Sequence, residues 1–263
     1  LHRIFLVWMT EKTLIISFLL AFCFGQSDFQ KGVTHYNKRH EGCIEDRANP
    51  MQIEMAITYF ENVLSNETNK KQAALYLLKS YYFKGKFAEE DRALKKKILK
   101  KGKDFGLGLI EEFPNSVECR YWYLVNLGSW AEEYGIFAAA KEGVADQMKY
   151  HSEKIISLNP EYENGAGYLL LGAVHYKAPY IPFILSWPNN KEAIKYLQLA
   201  HNTGNVEIAQ MVYLSQALHK GKRKDEAIIL IEKAMNVVPS NDNYASDWEW
   251  IKKAKNISKS YKK

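Results

Sequence analysis

Apolar and small residues recur along this chain at helical spacing, and the periodic segments come in pairs. In the clearest pair, Met211, Leu214, Ser215 and Leu218 mark one face of a first helix, and Ala227, Ile231 and Ala234 mark a second helix ended by Pro239. The small residues let two helices approach closely, and the proline stops the second one. The same order begins again at Tyr168, Leu171, Gly172 and His175, and resumes at Ala193, Leu197 and Ala200 after about nine extra residues. Upstream, Ala56, Phe60 and Val63 fill the second-helix positions of a first pair, and Ala74, Leu77 and Tyr81 open the next, leading to Gly85. Pro114 and Pro160 end two further amphipathic segments. About five helical hairpins are therefore predicted between roughly residues 35 and 239. The stretch from Tyr244 to Lys263 puts Trp248, Trp250 and Ile251 on one face and lysines on the other, as the capping helix of a stack does, with the lysines as solvation.

These offsets are those of the tetratricopeptide repeat (TPR). The expectation is an all-α fold, a TPR-type right-handed superhelix of about five helical hairpins with a C-terminal capping helix, over a single domain 26–263. Such a stack presents a long concave surface, which suits binding rather than catalysis.

The first residues suggest a destination. Residues 1–8 read as a start-site artefact, because Met9 opens a better leader: Met-Thr-Glu-Lys, then an apolar run from Leu14 to Phe24 too short to span a bilayer comfortably. Residues 1–25 are thus expected to be a signal peptide. Cleavage after Gly25 would release a soluble protein; Leu20-Ala21-Phe22-Cys23 imitates a lipobox, which would put lipid on Cys23, although Phe22 stands where a small side chain belongs. A retained single anchor is a third route. The expected location is outside the inner membrane, in a periplasm, soluble or lipid-anchored.

Composition narrows the chemistry. With 263 residues, 47% of them hydrophobic, the chain can bury one sizeable core. Its 36 basic and 30 acidic residues leave a distributed surplus of +6, which does not point to nucleic acid. The basic run Lys95 to Lys103 is broken by Ile98 and Leu99, and reads as the solvated face of an amphipathic helix. Cys43 and Cys119 fall on different hairpins and are expected to be separate buried thiols. The histidines form no His-Glu-x-x-His pair, and there is no nucleophile elbow, phosphate loop or dinucleotide fingerprint, so no metal, cofactor or catalytic residue is expected.

Two segments carry more aromatic or apolar surface than a scaffold requires. One is Tyr121-Trp122-Tyr123-Leu124-Val125-Asn126-Leu127-Gly128-Ser129-Trp130; Asn126 there either braces a neighbouring backbone or holds a ligand. The other is the Pro-rich insertion at 177–190, which could cover a helix end, lie across the groove as a lid, or seat another subunit. The candidate binding residues are Tyr121, Trp122, Tyr123, Asn126, Trp130, Tyr168, His175, Tyr176, Lys177 and Trp187.

The run Tyr-Trp-x-x-x-Asn-Leu-Gly-x-Trp, Gly135-Ile136, and Gly172-x-x-x-Tyr176-Lys177-x-Pro179 leading through Ser186-Trp187 to Lys191-x-Ala193 resemble the T component of TPR-associated tripartite ATP-independent periplasmic (TRAP) transporters, over roughly residues 35 to 240. That resemblance implies an all-helical periplasmic adaptor that associates with the periplasmic solute-binding protein of a TRAP transporter and assists uptake of an organic or hydrophobic ligand. The eukaryotic regulators of microtubule dynamics have a similar repeat style, but the exported leader argues against them. Two binding modes follow. In one, a protein partner rests on a few Trp and Tyr anchors such as Trp130 and Trp187. In the other, Trp122, Asn126, Tyr168 and Tyr176 enclose a small hydrophobic ligand beneath the insertion.

Overall fold

The structure, a computed structural model, describes residues 26–66 and 70–261. Among the described residues there are twelve α-helices and no strand. They are α1 (Asp28–Asn37), α2 (Pro50–Asn66), α3 (Lys70–Phe87), α4 (Arg92–Glu112), α5 (Val117–Tyr134), α6 (Ile136–Lys141), α7 (Val144–Leu158), α8 (Tyr162–Lys177), α9 (Asn190–His201), α10 (Ile208–Lys220), α11 (Lys224–Met235) and α12 (Tyr244–Tyr261). The expected leader, with Cys23, lies outside the described residues.

Five hairpins stack in chain order: α1 on α2, α3 on α4, α5 on α7, α8 on α9 and α10 on α11, with α12 packed on the last. This is the TPR-type superhelix that the repeat predicts, and its first hairpin starts at Asp28, slightly earlier than the pattern suggests. The hairpins close because small residues leave room. Ala193, Ala200, Ala227 and Ala234 are wholly buried. A Cβ on Gly172 would sit 2.6 Å from Leu197 Cγ, so α8 and α9 can touch only while that position carries no side chain. Side-chain caps start several helices: Ser27 and Gln30 form a capping box on α1, and Asp91, Ser116 and Asn189 each accept a backbone N–H at the start of α4, α5 and α9.

Three expectations need correction. Lys103 is not on a solvated face; it is buried, pairs with Glu142 and lies 4.4 Å from the Trp130 ring, because its turn of α4 faces α5. Cys43 is half-exposed in the connector after α1, whereas Cys119 is fully buried. The cap is more than a cap. Lys252 of α12 reaches back to Asp46 (2.7 Å) and Glu45 (3.2 Å), while Arg39 and His40 both bond the carbonyl of Asp242. Ala245 packs in the same apolar cluster as Phe83 and Phe87 of α3. The superhelix therefore closes on itself, its last helix lying against its first hairpins.

The insertion after α8 makes a tight turn, with the backbones of Ile181 and Leu185 exchanging hydrogen bonds of 2.9 and 2.8 Å. Tyr180, Phe183 and Ile184 point to solvent, so the turn's apolar tip covers neither a helix end nor the groove. Trp187 holds its base, donating from Nε1 to Asp146 (2.8 Å) and packing edge-on against His175.

Candidate functional site

Side chains from the first helices α3, α5, α8 and α10 and from the last helix, α12, line two cavities of the superhelix. Where they converge, five charged side chains form an alternating chain. Lys177 pairs with Glu132; Lys86 bridges Glu132 (2.9 Å) and Glu249 (3.1 Å); Lys253 meets Glu249 (2.8 Å). Burial opposes ionisation of Glu132, but the fields of Lys86, Lys177 and Lys253 outweigh it and hold its carboxyl well below the usual carboxylate range. Burial likewise opposes the charge on Lys86, and Glu249 and Glu132 raise its pKa in spite of it. The chain divides two cavities that share Glu132 and Glu249 as wall. The smaller, about 240 Å³, is mostly polar; the larger, about 400 Å³, is lined by Val212, Trp250 and Ile257 together with Lys177, Tyr213 and Lys253. Lys177 is wetted within this lumen yet enclosed by protein.

A second region of the inner wall is aromatic. Trp122 meets Tyr82 (5.8 Å between centroids) and Tyr121 (5.3 Å), Tyr121 meets Tyr162 (5.5 Å), and Tyr76 meets Tyr36 (5.2 Å). Lys79 lies between these rings, 5.3 Å from both Tyr76 and Trp122. Burial pulls its pKa down, and among the described residues no carboxylate lies within ion-pair distance of it. Trp122 Nε1 is buried and donates to no acceptor there. Among the described residues, one buried donor on this wall, Trp122 Nε1, thus has no acceptor, and the half-buried Lys79 ammonium has no carboxylate partner.

The predicted site residues separate sharply. Tyr121 and Trp122 are half-buried on this wall, and Lys177 is in the ionic chain. Tyr168 and Tyr176 are half-buried against the α9–α10 cluster, with Lys220 5.4 Å from the Tyr176 ring. Others face the core. Tyr123 is buried, with its hydroxyl donating to Gln147. Trp130 is 2% exposed, stacked on Tyr134 at 4.7 Å. His175 is buried between Trp187 and Tyr196, and burial lowers its pKa. Asn126 is a brace: wholly buried, it donates to the carbonyls of Leu78 (3.2 Å) and Trp122 (2.9 Å), tying α5 to α3. Its Oδ1 faces Gly102, where a Cβ would stand 2.1 Å away, so the glycine's own C–H fills the place of a partner.

Sequence reasoning missed Lys79, Lys86, Glu132 and Glu249. The available signal was the seven-residue spacing of Lys79 and Lys86, which puts two lysines on one face of an otherwise heavily buried helix. Among the described residues no group of three or more His, Cys, Asp or Glu side chains could hold a metal, and no helix is long and apolar enough to cross a membrane.

The fold is similar to the crystal structure of a thermophilic TPR protein in Thermus thermophilus, with a TM-score of 0.55 and 15% identity over 84% of this chain and 95% of that one. At that identity the likeness speaks for the fold alone. No curated protein matches the sequence. A family model described as regulator of microtubule dynamics protein 1-3 matches residues 44–184, more than half of the chain. Much of what resembles the TRAP T component, residues 121–130 and 172–179, lies inside that span. That match overturns the exclusion of the microtubule regulators, since a leader informs about export and is independent of the helical repeats that define a family. The chain belongs to the family of regulator of microtubule dynamics proteins 1-3.

Proposed function

We propose that this chain is an interaction scaffold that holds a protein partner on the aromatic wall of its lumen, and that through this grip it acts on microtubule dynamics, as its family's description suggests. The TPR-type fold supports protein–protein interaction in general. The observation that carries the site is the pair of donors, Lys79 Nζ and Trp122 Nε1, flanked by Tyr76, Tyr82 and Tyr121. A buried donor without an acceptor costs free energy, which applies to Trp122 Nε1, while Lys79 is half-buried and its ammonium is free to take an acceptor; a segment offering a carbonyl or carboxylate to Lys79 would lay its apolar parts on the rings. Growth and shrinkage of purified microtubules measured with the chain, and with a Lys79→Met, Trp122→Ala variant, tests both parts. The chain should change these rates and the variant should not; rates unaffected by the chain itself would sink the microtubule role.

A second reading is favoured by the larger cavity. Its apolar residues Val212, Trp250 and Ile257 with Lys177 and Lys253 suit a small amphipathic ligand, at a different place from the pocket expected among Trp122, Asn126, Tyr168 and Tyr176. Native mass spectrometry of the chain from its producing cell should then show an adduct lost on Tyr213→Ala substitution. Service beside a TRAP solute-binding protein rests on the motif resemblance and on export by residues 1–25. It predicts a chain on the outer side of the inner membrane, cut after Gly25, carrying lipid on Cys23 or held by a retained anchor; recovery of the chain in the cytosolic fraction with residues 9–25 intact would refute it.

A further inference from the structure

One edge of the superhelix gathers the connections between the first and second helices of the last three hairpins: α6 after α5, the insertion after α8, and the turn at 221–223 after α10. Contacts fix them as neighbours. Trp187 of the insertion bonds Asp146 in the first turn of α7, and Asn190 Nδ2 donates to the carbonyl of Ala217 (2.8 Å) near the end of α10. Apolar side chains project from this edge. Phe137 of α6 is 90% exposed, Phe183 fully exposed and Ile184 80% exposed, with Tyr180 and Ile136 beside them. Phe183 adopts a left-handed φ of 66°, held by the paired backbones of Ile181 and Leu185, so the turn keeps its ring outward. Folding alone gives no reason for a strained residue that presents an aromatic ring to water.

The charge on the same edge is unbalanced. Lys141, Lys191, Lys220, Lys222 and Lys224 are exposed, and none is in an ion pair among the described residues. Of the acids among them, Glu142 pairs with Lys103, Glu192 with Lys195 and Glu226 with Arg223, which leaves Asp146, bonded only to the neutral Trp187 indole, and Asp225 against the five lysines. We propose that this edge docks on a bilayer surface carrying anionic headgroups, with Phe137, Phe183 and Ile184 entering the interface and the lysines reaching the headgroups. A bilayer takes up apolar tips one by one and attracts flanking lysines, whereas a protein partner must match a continuous surface. Phe137 stands on α6 and Phe183 with Ile184 on the insertion's turn, two separate projections, so the membrane is the occupant they fit.

Sedimentation with phosphatidylcholine vesicles, with and without about one third phosphatidylserine, tests this. Because residues 14–24 are themselves apolar, the comparison is between full-length chains that differ only on this edge. Phe137→Ser, Phe183→Ser and Ile184→Ser together should lower partitioning onto the anionic vesicles at least about tenfold. Lys220→Glu, Lys222→Glu and Lys224→Glu should each lower it about fivefold or more and leave binding to neutral vesicles unchanged. All six positions are exposed, and circular dichroism checks that the helices persist. Equal partitioning of native and variant chains would overturn the proposal. So would absence of vesicle binding together with a native dimer, seen by light scattering, that the apolar variant loses.

Discussion

Lys79 and Lys86 stand two turns apart on one face of α3, yet their surroundings differ in kind. Lys86 lies between Glu132 and Glu249, in a chain of five charges drawn from four helices. Lys79 lies between Tyr76 and Trp122 with no carboxylate in reach among the described residues. Both sites restrict contact with water, and a cation there needs partners. At Lys86 the protein supplies them from α5 and α12, so the charge belongs to the architecture that shuts the ring. At Lys79 ring faces are supplied at contact and the carboxylates of Glu163 and Glu118 act only from beyond ion-pair distance, so hydrogen-bonding capacity is left for something else. One helix face thus carries a closure and an opening, and the difference lies in what the other helices bring to each.

The largest test of that contrast is removal of the closure. Lys86→Met leaves Glu132 and Glu249 facing one another in a half-enclosed lumen and should cost about 3 kcal/mol of stability by urea unfolding. Lys79→Met should cost under about 1 kcal/mol, since no ion pair is lost. Equal losses would erase the distinction. Next in size is Trp122→Ala, which should weaken partner binding by about 2 kcal/mol, roughly thirtyfold in dissociation constant by calorimetry; Trp250→Ala on the closed side should change it little.

A smaller effect concerns pH. Burial, with Arg39 adding to it, lowers the His40 pKa to about 4, and its Nε2–H serves as donor to the Asp242 carbonyl where the ring closes. Below the unfolded value near 6.5 the unfolded chain takes up the proton and the folded chain does not, so stability falls as pH drops from about 6.5 toward 4. His40→Gln should flatten part of that slope, read as melting temperature between pH 7.5 and 5 at about pH-unit steps. Glu132 adds in the same direction lower down: its depressed carboxyl contributes stability above the unfolded pKa that is lost as pH falls toward its folded value. Smallest of all, Lys252→Ala removes a solvent-screened bridge to Glu45 and Asp46 and should move the urea midpoint less than any of the other substitutions; a shift as large as that of Lys86→Met would place the closure at the ends of the chain instead of in the lumen.

Legibility followed the range of the forces. Hairpins were readable because they arise from local periodicity and from small residues at fixed offsets: Ala227, Ala234 and Gly172 announce close approach whatever lies elsewhere in the chain. The aromatic segment 121–130 was readable as unusual, but not the direction of each ring. On a helix with partners on several sides, Tyr121 and Trp122 fell to the wall while Tyr123 and Trp130 fell to the core. The insertion at 177–190 was readable as apolar and stiff, while its outward tip depended on a single left-handed residue.

What the sequence determined by itself is therefore the repeat: five hairpins and a last amphipathic helix, each dictated by residues three to eight positions apart. What tertiary structure alone decided is closure. Asp46 and Lys252, or Lys86 and Glu249, become neighbours only when the small rotations between five stacked hairpins add up to bring the last helix onto the first. No local pattern encodes that sum, and the candidate site, built where the ends meet, is set by it.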